Sequence, residues 1–240
     1  MASALKYENV LLKVSGEALM GNTGFGIEPN TVKRICSDIK EGVQLGARVG
    51  LVVGGGNIFR GVALAAKGAD RVSGDHMGML ATVMNAIALR MSLQDMGMDA
   101  VVLSAIAMEE VCEPFSQRAA EKYAGEGKIV IFAGGTGNPY FTTDTAAALR
   151  ACEMQCDALL KATQVDGIYS ADPKKDPNAT RFETITHSEV LERGLEVMDA
   201  AAVSLTKESN IPVVVFSLDD EGGFAKILKG EGRSTTVSVN

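Results

Sequence analysis

The chain has 240 residues, 46% hydrophobic and 22% charged, with 23 Lys+Arg against 30 Asp+Glu and a formal net charge of −7. That length supports one sizeable core or two closely packed halves, and the acidic balance opposes the broad positive field on which nucleic-acid binding depends. The longest apolar runs, such as Val49–Val53 and Ile211–Phe216, fall far short of the ~18 residues a membrane span needs. The N-terminal residues show no basic start followed by an apolar core, so a cytoplasmic location is expected.

Short apolar runs alternate with helical patterns from end to end. This is the signature of an α/β fold, a three-layer αβα sandwich around a mainly parallel sheet. The first strand is Val10–Val14, interrupted by Lys13 just before Ser15-Gly16. A lysine at the carboxyl end of a central strand is costly to bury without an anion, so its ammonium group is expected to face a ligand pocket. A helix follows over Pro29–Gly46, then strand Val49–Val53 running straight into Gly54-Gly55-Gly56-Asn57. Three glycines at a strand's carboxyl end let backbone amides approach an anion closely; a bare tight turn is the alternative. Neither GxxxxGK[ST] nor GxGxxG occurs, which removes the main support for a Walker loop or a dinucleotide fold. Arg60, four residues past the triple glycine, is either a surface arginine or the second arm of a cationic clamp.

The next helix is predicted over Asp75–Met96. Asp75 is read as its N-cap or as an acceptor for ribose hydroxyls. Met77, Met84, Met91 and Met98 recur every seven residues along it, a seam that suits core packing, a subunit interface or, least well, a cofactor site. Strand Ala100–Leu103 and helix Ser116–Gly125 lead to strand Ile129–Ala133 and a second glycine loop, Gly134–Asp144, rich in hydroxyls and holding the aromatic pair Tyr140-Phe141. Such a loop fits a pocket that reads a base and sugar, and Thr143 could also cap the helix Asp144–Cys152. Strand Ala158–Lys161 precedes an exposed loop at Ala171–Asn178. Helices Ser188–Arg193 and Ala200–Ser209, strand Val213–Phe216, helix Gly222–Leu228 and an edge strand Thr235–Val239 complete the chain.

No linker or repeat divides the sequence, so residues 1–240 are read as one domain whose parts before and after about Cys156 pack as a unit. Cys36, Cys112, Cys152 and Cys156 form no CxxC pair and are read as reduced thiols, although Cys152 and Cys156 could share a helix face. With only His76 and His187 besides, neither a zinc site nor a histidine-based nucleophile has a sufficient residue set. Two glycine loops and a strand lysine at one sheet edge suggest two phosphate-bearing ligands and phosphoryl transfer.

The motifs LLKVSGEAL (Leu11–Leu19), GGGNIFRG (Gly54–Gly61), GDHMGMLATVMN (Gly74–Asn85), GTGNPYFTTD (Gly135–Asp144), KATQVDGIYSADP (Lys161–Pro173) and VMD (Val197–Asp199) resemble those of the bacterial UMP (uridylate) kinases of the amino acid kinase superfamily. The resemblance runs nearly end to end. It implies transfer of a phosphoryl group from ATP to UMP, with Mg²⁺, in a homohexamer activated by GTP and inhibited by UTP.

By the same resemblance, the ATP phosphates would meet Lys13, Val14, Ser15, Gly16, Gly56 and Arg60, and the ATP nucleoside Thr163, Tyr169 and Asp172. UMP would be held by Gly55, Asp75 and the run Thr136, Gly137, Asn138, Pro139, Tyr140, Phe141, Thr142 and Thr143. Lys13, Arg60 and Asp144 would be catalytic, with Asp144 and Asp199 meeting the metal only through water. The turn Gly21, Asn22, Thr23, Gly24, Phe25 and Gly26 matches the segment linked to GTP. Gln164 stands where the family commonly has lysine. The acceptor half would be about 1–156 and the ATP half about 157–240. Two rival readings remain: a kinase of a small carboxylate or carbamate, and a non-catalytic nucleotide sensor or storage protein.

Overall fold

The alternating apolar runs pair into a nine-stranded sheet in the computed structural model, which describes residues 5–59, 68, 70–171, 173, 175–176, 178–195, 197–218 and 222–238. Its strands are β1 (Asn9–Val14), β2 (Arg48–Val53), β3 (Ala100–Ser104), β4 (Glu113–Pro114), β5 (Ile129–Ala133), β6 (Ala158–Thr163), β7 (Thr184–Thr186), β8 (Val213–Ser217) and β9 (Ser234–Ser238). The spatial order is β4-β3-β5-β2-β1-β6-β8-β9-β7, and every pairing is parallel except β8 with β9. Strands β4 and β7 were not foreseen, being too short to show a period.

The helices are α1 (Pro29–Gln44), α2 (Arg71–Asp95), α3 (Gln117–Gly125), α4 (Thr143–Glu153), α5 (His187–Glu192), α6 (Ala200–Glu208) and α7 (Gly223–Lys229). None of the described helices is long and apolar enough to cross a membrane. Their starts follow local chemistry. Pro29 opens α1 while the Glu28 carboxylate accepts the Asn30 and Thr31 N–H groups. Helix α2 starts at Arg71, capped by the Asp70 side chain, so Asp75 is not the cap the sequence suggested. Likewise α4 is capped by Thr142, which accepts from the Asp144 and Thr145 N–H groups, and not by Thr143.

Side chains alternate across the central strands and divide the core between the two faces. Val10, Leu12 and Val14 of β1 pack with Ile35, Leu89 and Phe224 on one side. Leu11 of β1 and Leu159 of β6 pack with Ala120, Ala147 and Val203 on the other. Each fully buried Leu, Val or Phe contributes about 1.5–3 kcal/mol. By this alternation Lys13 and Lys161 fall on the second face, at the carboxyl ends of β1 and β6, where α4 begins.

Two expectations about helices are corrected. Met77, Met84 and Met91 are exposed on α2 together with Leu80, so core packing fails for these three, while Met98, beyond the end of the helix, packs against the core. Cys156 lies beyond the end of α4, so it shares no helix face with Cys152. All four cysteines are free thiols. Burial raises Cys36 to about 11 and Cys156 to about 12, too high for either to serve as a thiolate nucleophile.

Candidate active site

Lys13 and Lys161 are register partners on the adjacent strands β1 and β6. Their ammonium groups meet one carboxylate: Lys13 Nζ is 2.8 Å from Asp144 Oδ1, and Lys161 Nζ is 2.9 Å from Asp144 Oδ2. Lys161 also donates to the Val197 carbonyl. Burial is the largest single influence on Asp144 and raises its pKa, but the two ammonium groups together outweigh it and hold the carboxyl below its ordinary value. Lys161 is shifted down, by burial first and by the Lys13 charge, against the opposing pull of Asp144 and Asp199. Two ammonium groups with the Asp144 carboxylate between them therefore share a recess at the sheet's carboxyl edge, where they can face a phosphate. The structure brings Lys13 and Asp144, both singled out from the sequence, into contact, and it adds Lys161, to which the sequence assigned no role.

The glycine loops follow the adjacent strands β2 and β5, beside the central strand β1. A Cβ added at Gly16 would lie 2.6 Å from the Gly54 carbonyl oxygen, so the turn after β1 and the loop after β2 touch backbone to backbone. Helix α2 presses on the same loop, since a Cβ at Gly55 would lie 2.8 Å from the Gly78 oxygen. In the second loop Gly134, Gly135 and Gly137 have φ of +76°, +60° and +77°, the left-handed conformation that glycine adopts without strain. Tyr140 shares that conformation at φ +73° at a cost of about 1–2 kcal/mol. Its N–H donates to Asp75 Oδ2 at 2.8 Å, and its ring lies under Arg71, whose guanidinium carbon is 5.5 Å from the ring centroid. Asp75 also accepts from Arg71 Nε at 2.8 Å, so this carboxylate anchors the loop to α2.

Three recesses follow the carboxyl edge. One of about 250 Å³ is lined by Gly55, Gly56, Asp75, Thr136, Phe141 and Thr143, among others. Gly137, Asn138, Pro139 and Tyr140 lie along the same loop outside that lining. A second, of about 260 Å³, is lined by Lys13, Ser15, Glu17, Lys161, Thr163 and Gln164. A third, of about 600 Å³, shares Lys161 and Thr163 and adds Gly167, Tyr169 and Leu195. Tyr169 is held by its hydroxyl donating to Asp166 Oδ1 at 2.6 Å.

Of the remaining sequence candidates, Val14 buries its side chain in the core and offers only backbone to the site, its carbonyl accepting from Gly54 N–H. Asp199 caps α6 by accepting from Ala202 N–H, and its other oxygen accepts from the Thr142 and Thr145 hydroxyls. The turn 21–26 joins the first glycine loop through Gly26 N–H donating to the Asn57 carbonyl, while Phe25 is exposed. Arg60 and Asp172 lie outside the described residues.

A mainly parallel sheet with glycine loops, paired lysines and adjoining recesses along one edge defines an α/β protein of the amino acid kinase fold. The family described as "Amino acid kinase family" matches residues 9–217. The uridylate kinase of Brucella anthropi is 67% identical over 240 residues, covering 100% of each chain, and that of Agrobacterium fabrum is 65% identical over 99% of this chain and 98% of its own. Among solved structures, the UMP kinase of Bacillus anthracis superposes with a TM-score of 0.94 at 37% identity, covering 98% of this chain and 97% of that one. The UMP kinase of Ureaplasma parvum gives 0.92 at 35% identity, covering 98% and 100%. The chain belongs to the amino acid kinase family and, within it, to the uridylate kinases.

Proposed function

We propose that the chain transfers the γ-phosphoryl group of ATP to UMP, giving ADP and UDP, in pyrimidine nucleotide synthesis. One observation carries this reading: the Lys13–Asp144–Lys161 clamp sits where the recesses converge, with Lys161 lining the two on the β6 side and Asp144 following Thr143 of the third. The ATP nucleoside occupies the 600 Å³ recess by Thr163 and Tyr169. Its phosphates run past Ser15, Gly16 and Gly56 toward Lys13. UMP occupies the 250 Å³ recess, its phosphate toward Gly55 and its base and sugar along residues 136–143.

The attacking oxygen needs no general base, because the second pKa of a phosphate monoester is about 6 and the nucleophile is already ionised at neutral pH. Lys13 and Lys161 instead hold fixed positive charge against the oxygens on which charge builds as the bond breaks. Asp144 keeps the two ammonium groups from repelling one another out of position. Among the described residues there is no group of three or more His, Cys, Asp or Glu able to hold a metal ion. Mg²⁺ would be carried chiefly by nucleotide phosphates and water, and Asp144 and Asp199 are the carboxylates that would hold the hydrated ion. When bound, it supplies further neutralisation of phosphate charge.

The same reading includes a cytoplasmic homohexamer built through the exposed face of α2, with GTP and UTP as effectors and the 21–26 turn on the GTP route. A pure nucleotide sensor would have no use for two ammonium groups converging on one carboxylate. The test is ADP release measured with UMP, CMP, AMP and acetylglutamate as acceptors. Turnover with UMP well above the rest is expected; turnover with acetylglutamate, or with no acceptor, would refute the reading.

A further inference from the structure

Asn57 and Asn85 form a fully buried pair, 1% and 0% exposed. Each side-chain amide donates to the other's oxygen: Asn57 Nδ2 to Asn85 Oδ1 at 3.0 Å and Asn85 Nδ2 to Asn57 Oδ1 at 2.7 Å. Their remaining protons go to backbone carbonyls, Asn85 to Gly54 at 2.6 Å and Asn57 to Gly26 at 2.8 Å. All four amide protons are thereby used. A Cβ at Gly16 would lie 2.7 Å from Asn57 Oδ1, so the turn after β1 also rests on the pair. One turn earlier on α2, Thr82 accepts the Gly134 N–H at 2.9 Å. A single helix thus grips both glycine loops by side chains spaced to share its inner face.

We infer that Asn85, acting with Asn57, is a positioning residue for phosphoryl transfer: the pair fixes the Gly54 carbonyl, and so the aim of the Gly55 and Gly56 backbone, relative to the Gly16 turn. The physical reason is that a buried amide with every hydrogen bond satisfied defines one geometry, and loss of any donor leaves a carbonyl free to shift. Phosphoryl transfer is sensitive to such shifts because it depends on alignment more than on covalent chemistry by the protein. The inference rests on the kinase reading above.

The experiment compares steady-state kinetics and thermal unfolding for Asn85→Asp, Asn85→Ser, Asn57→Asp and Leu89→Ala. Asn85→Asp keeps the shape but loses its donations to Gly54 and Asn57; Asn57→Asp keeps the Asn85 hold on Gly54 but loses its own donations to Gly26 and to Asn85 Oδ1. Leu89→Ala opens a cavity on the same helix and removes no hydrogen bond to either glycine loop, and so controls for stability. At temperatures well below unfolding, Asn85→Asp is expected to lower kcat by about 10–100-fold, the scale of a small misalignment. Its KM for ATP should change less than about threefold, because the nucleoside recess is untouched. Asn57→Asp should lose less kcat, and Leu89→Ala should lose stability with kcat retained. If Asn85→Asp is too unstable to purify, Asn85→Ser is read in its place. Near-normal kcat in the Asn85 variants, or a loss of kcat in Leu89→Ala of the same size at equal stability, would overturn the positioning role. Absence of UMP turnover by the wild-type chain would overturn the kinase reading itself.

Discussion

Lys13 and Lys161 face each other across two parallel strands, and each holds a different oxygen of the same Asp144 carboxylate. Two like charges brought this close in a buried recess destabilise each other unless an anion lies between them. Asp144 is that anion, and an incoming phosphoryl group meets the positive charge it leaves uncompensated. Lys13→Ala and Lys161→Ala are each expected to reduce kcat by about 10²–10³, the usual cost of losing one preorganised electrostatic donor, while ATP still binds measurably. Lys13→Arg should restore little, since a planar fork does not replace a compact charge. Kinetics with calorimetric ATP titration check this: normal kcat with only a raised ATP KM would reduce the lysine to a binding group.

Asp144→Asn should be as damaging as either lysine change, and for a different reason. It leaves two ammonium groups facing each other, which shifts the Lys161 pKa further down. The kcat of this variant should therefore decline at lower pH than in wild type as pH is raised and Lys161 loses its proton. A pH–rate profile with unchanged alkaline limb would show that Lys161 is not on the reaction path.

His187 provides a test of stability at a residue outside the lining of the three recesses. Its imidazole is fully buried and contacts the Ser238 carbonyl through Nδ1 at 2.7 Å. Burial lowers its pKa below 6.5, with the nearby Lys207 charge adding to this and the Ser238 hydrogen bond opposing it. Below 6.5 the unfolded chain takes up a proton that the folded chain refuses, so stability falls from that value down to the folded pKa and is unaffected above it. Urea unfolding between about pH 7.5 and about pH 5 should show this loss, and His187→Gln should flatten it. An equal slope in both proteins would contradict the assignment.

The acceptor loop is expected to prefer uracil to cytosine, because its backbone amides and the Thr136, Thr142 and Thr143 hydroxyls can pair with O4 and N3–H. A site that hydrogen-bonds one polar edge rejects the mismatched edge strongly, its own buried groups being left unpaired. Equal kcat/KM for UMP and CMP would rule this out.

Met84 is 54% exposed on α2, beside exposed Met77, Leu80 and Met91. If this stripe joins subunits, Met84→Asp buries an unpaired charge in the contact at a cost of several kcal/mol. Light scattering should then show smaller particles with the subunit still folded. Full assembly of the variant would exclude this face.

Much of the fold could be read from the chain because its central strands are continuous apolar runs and its helices carry strong caps. Lys13 stood out because a charge interrupted such a run. Lys161 carried the same signal but sat at the run's end, where a lysine is ordinary; only the β1–β6 register brings it to Asp144. Of the two readings of Asp75, the cap fails because the true one, Asp70, lies five residues earlier, before the apolar pattern begins. Thr82 and Asn85 stand in the motif Gly74–Asn85 with no role of their own, since small polar residues within a helix acquire meaning only from the loops packed against them. The methionine repeat identified a continuous stripe, but periodicity alone does not say whether a stripe faces the core or a second subunit.

The most direct test is ³¹P NMR of ATP, Mg²⁺ and UMP incubated with the purified chain and with its Lys13→Ala variant. Resonances of UDP and ADP should grow together in equal amounts with the wild-type chain and be nearly absent with the variant. ATP consumed to inorganic phosphate without UDP, or UDP formed equally fast by both proteins, would contradict phosphoryl transfer to UMP through the lysine clamp.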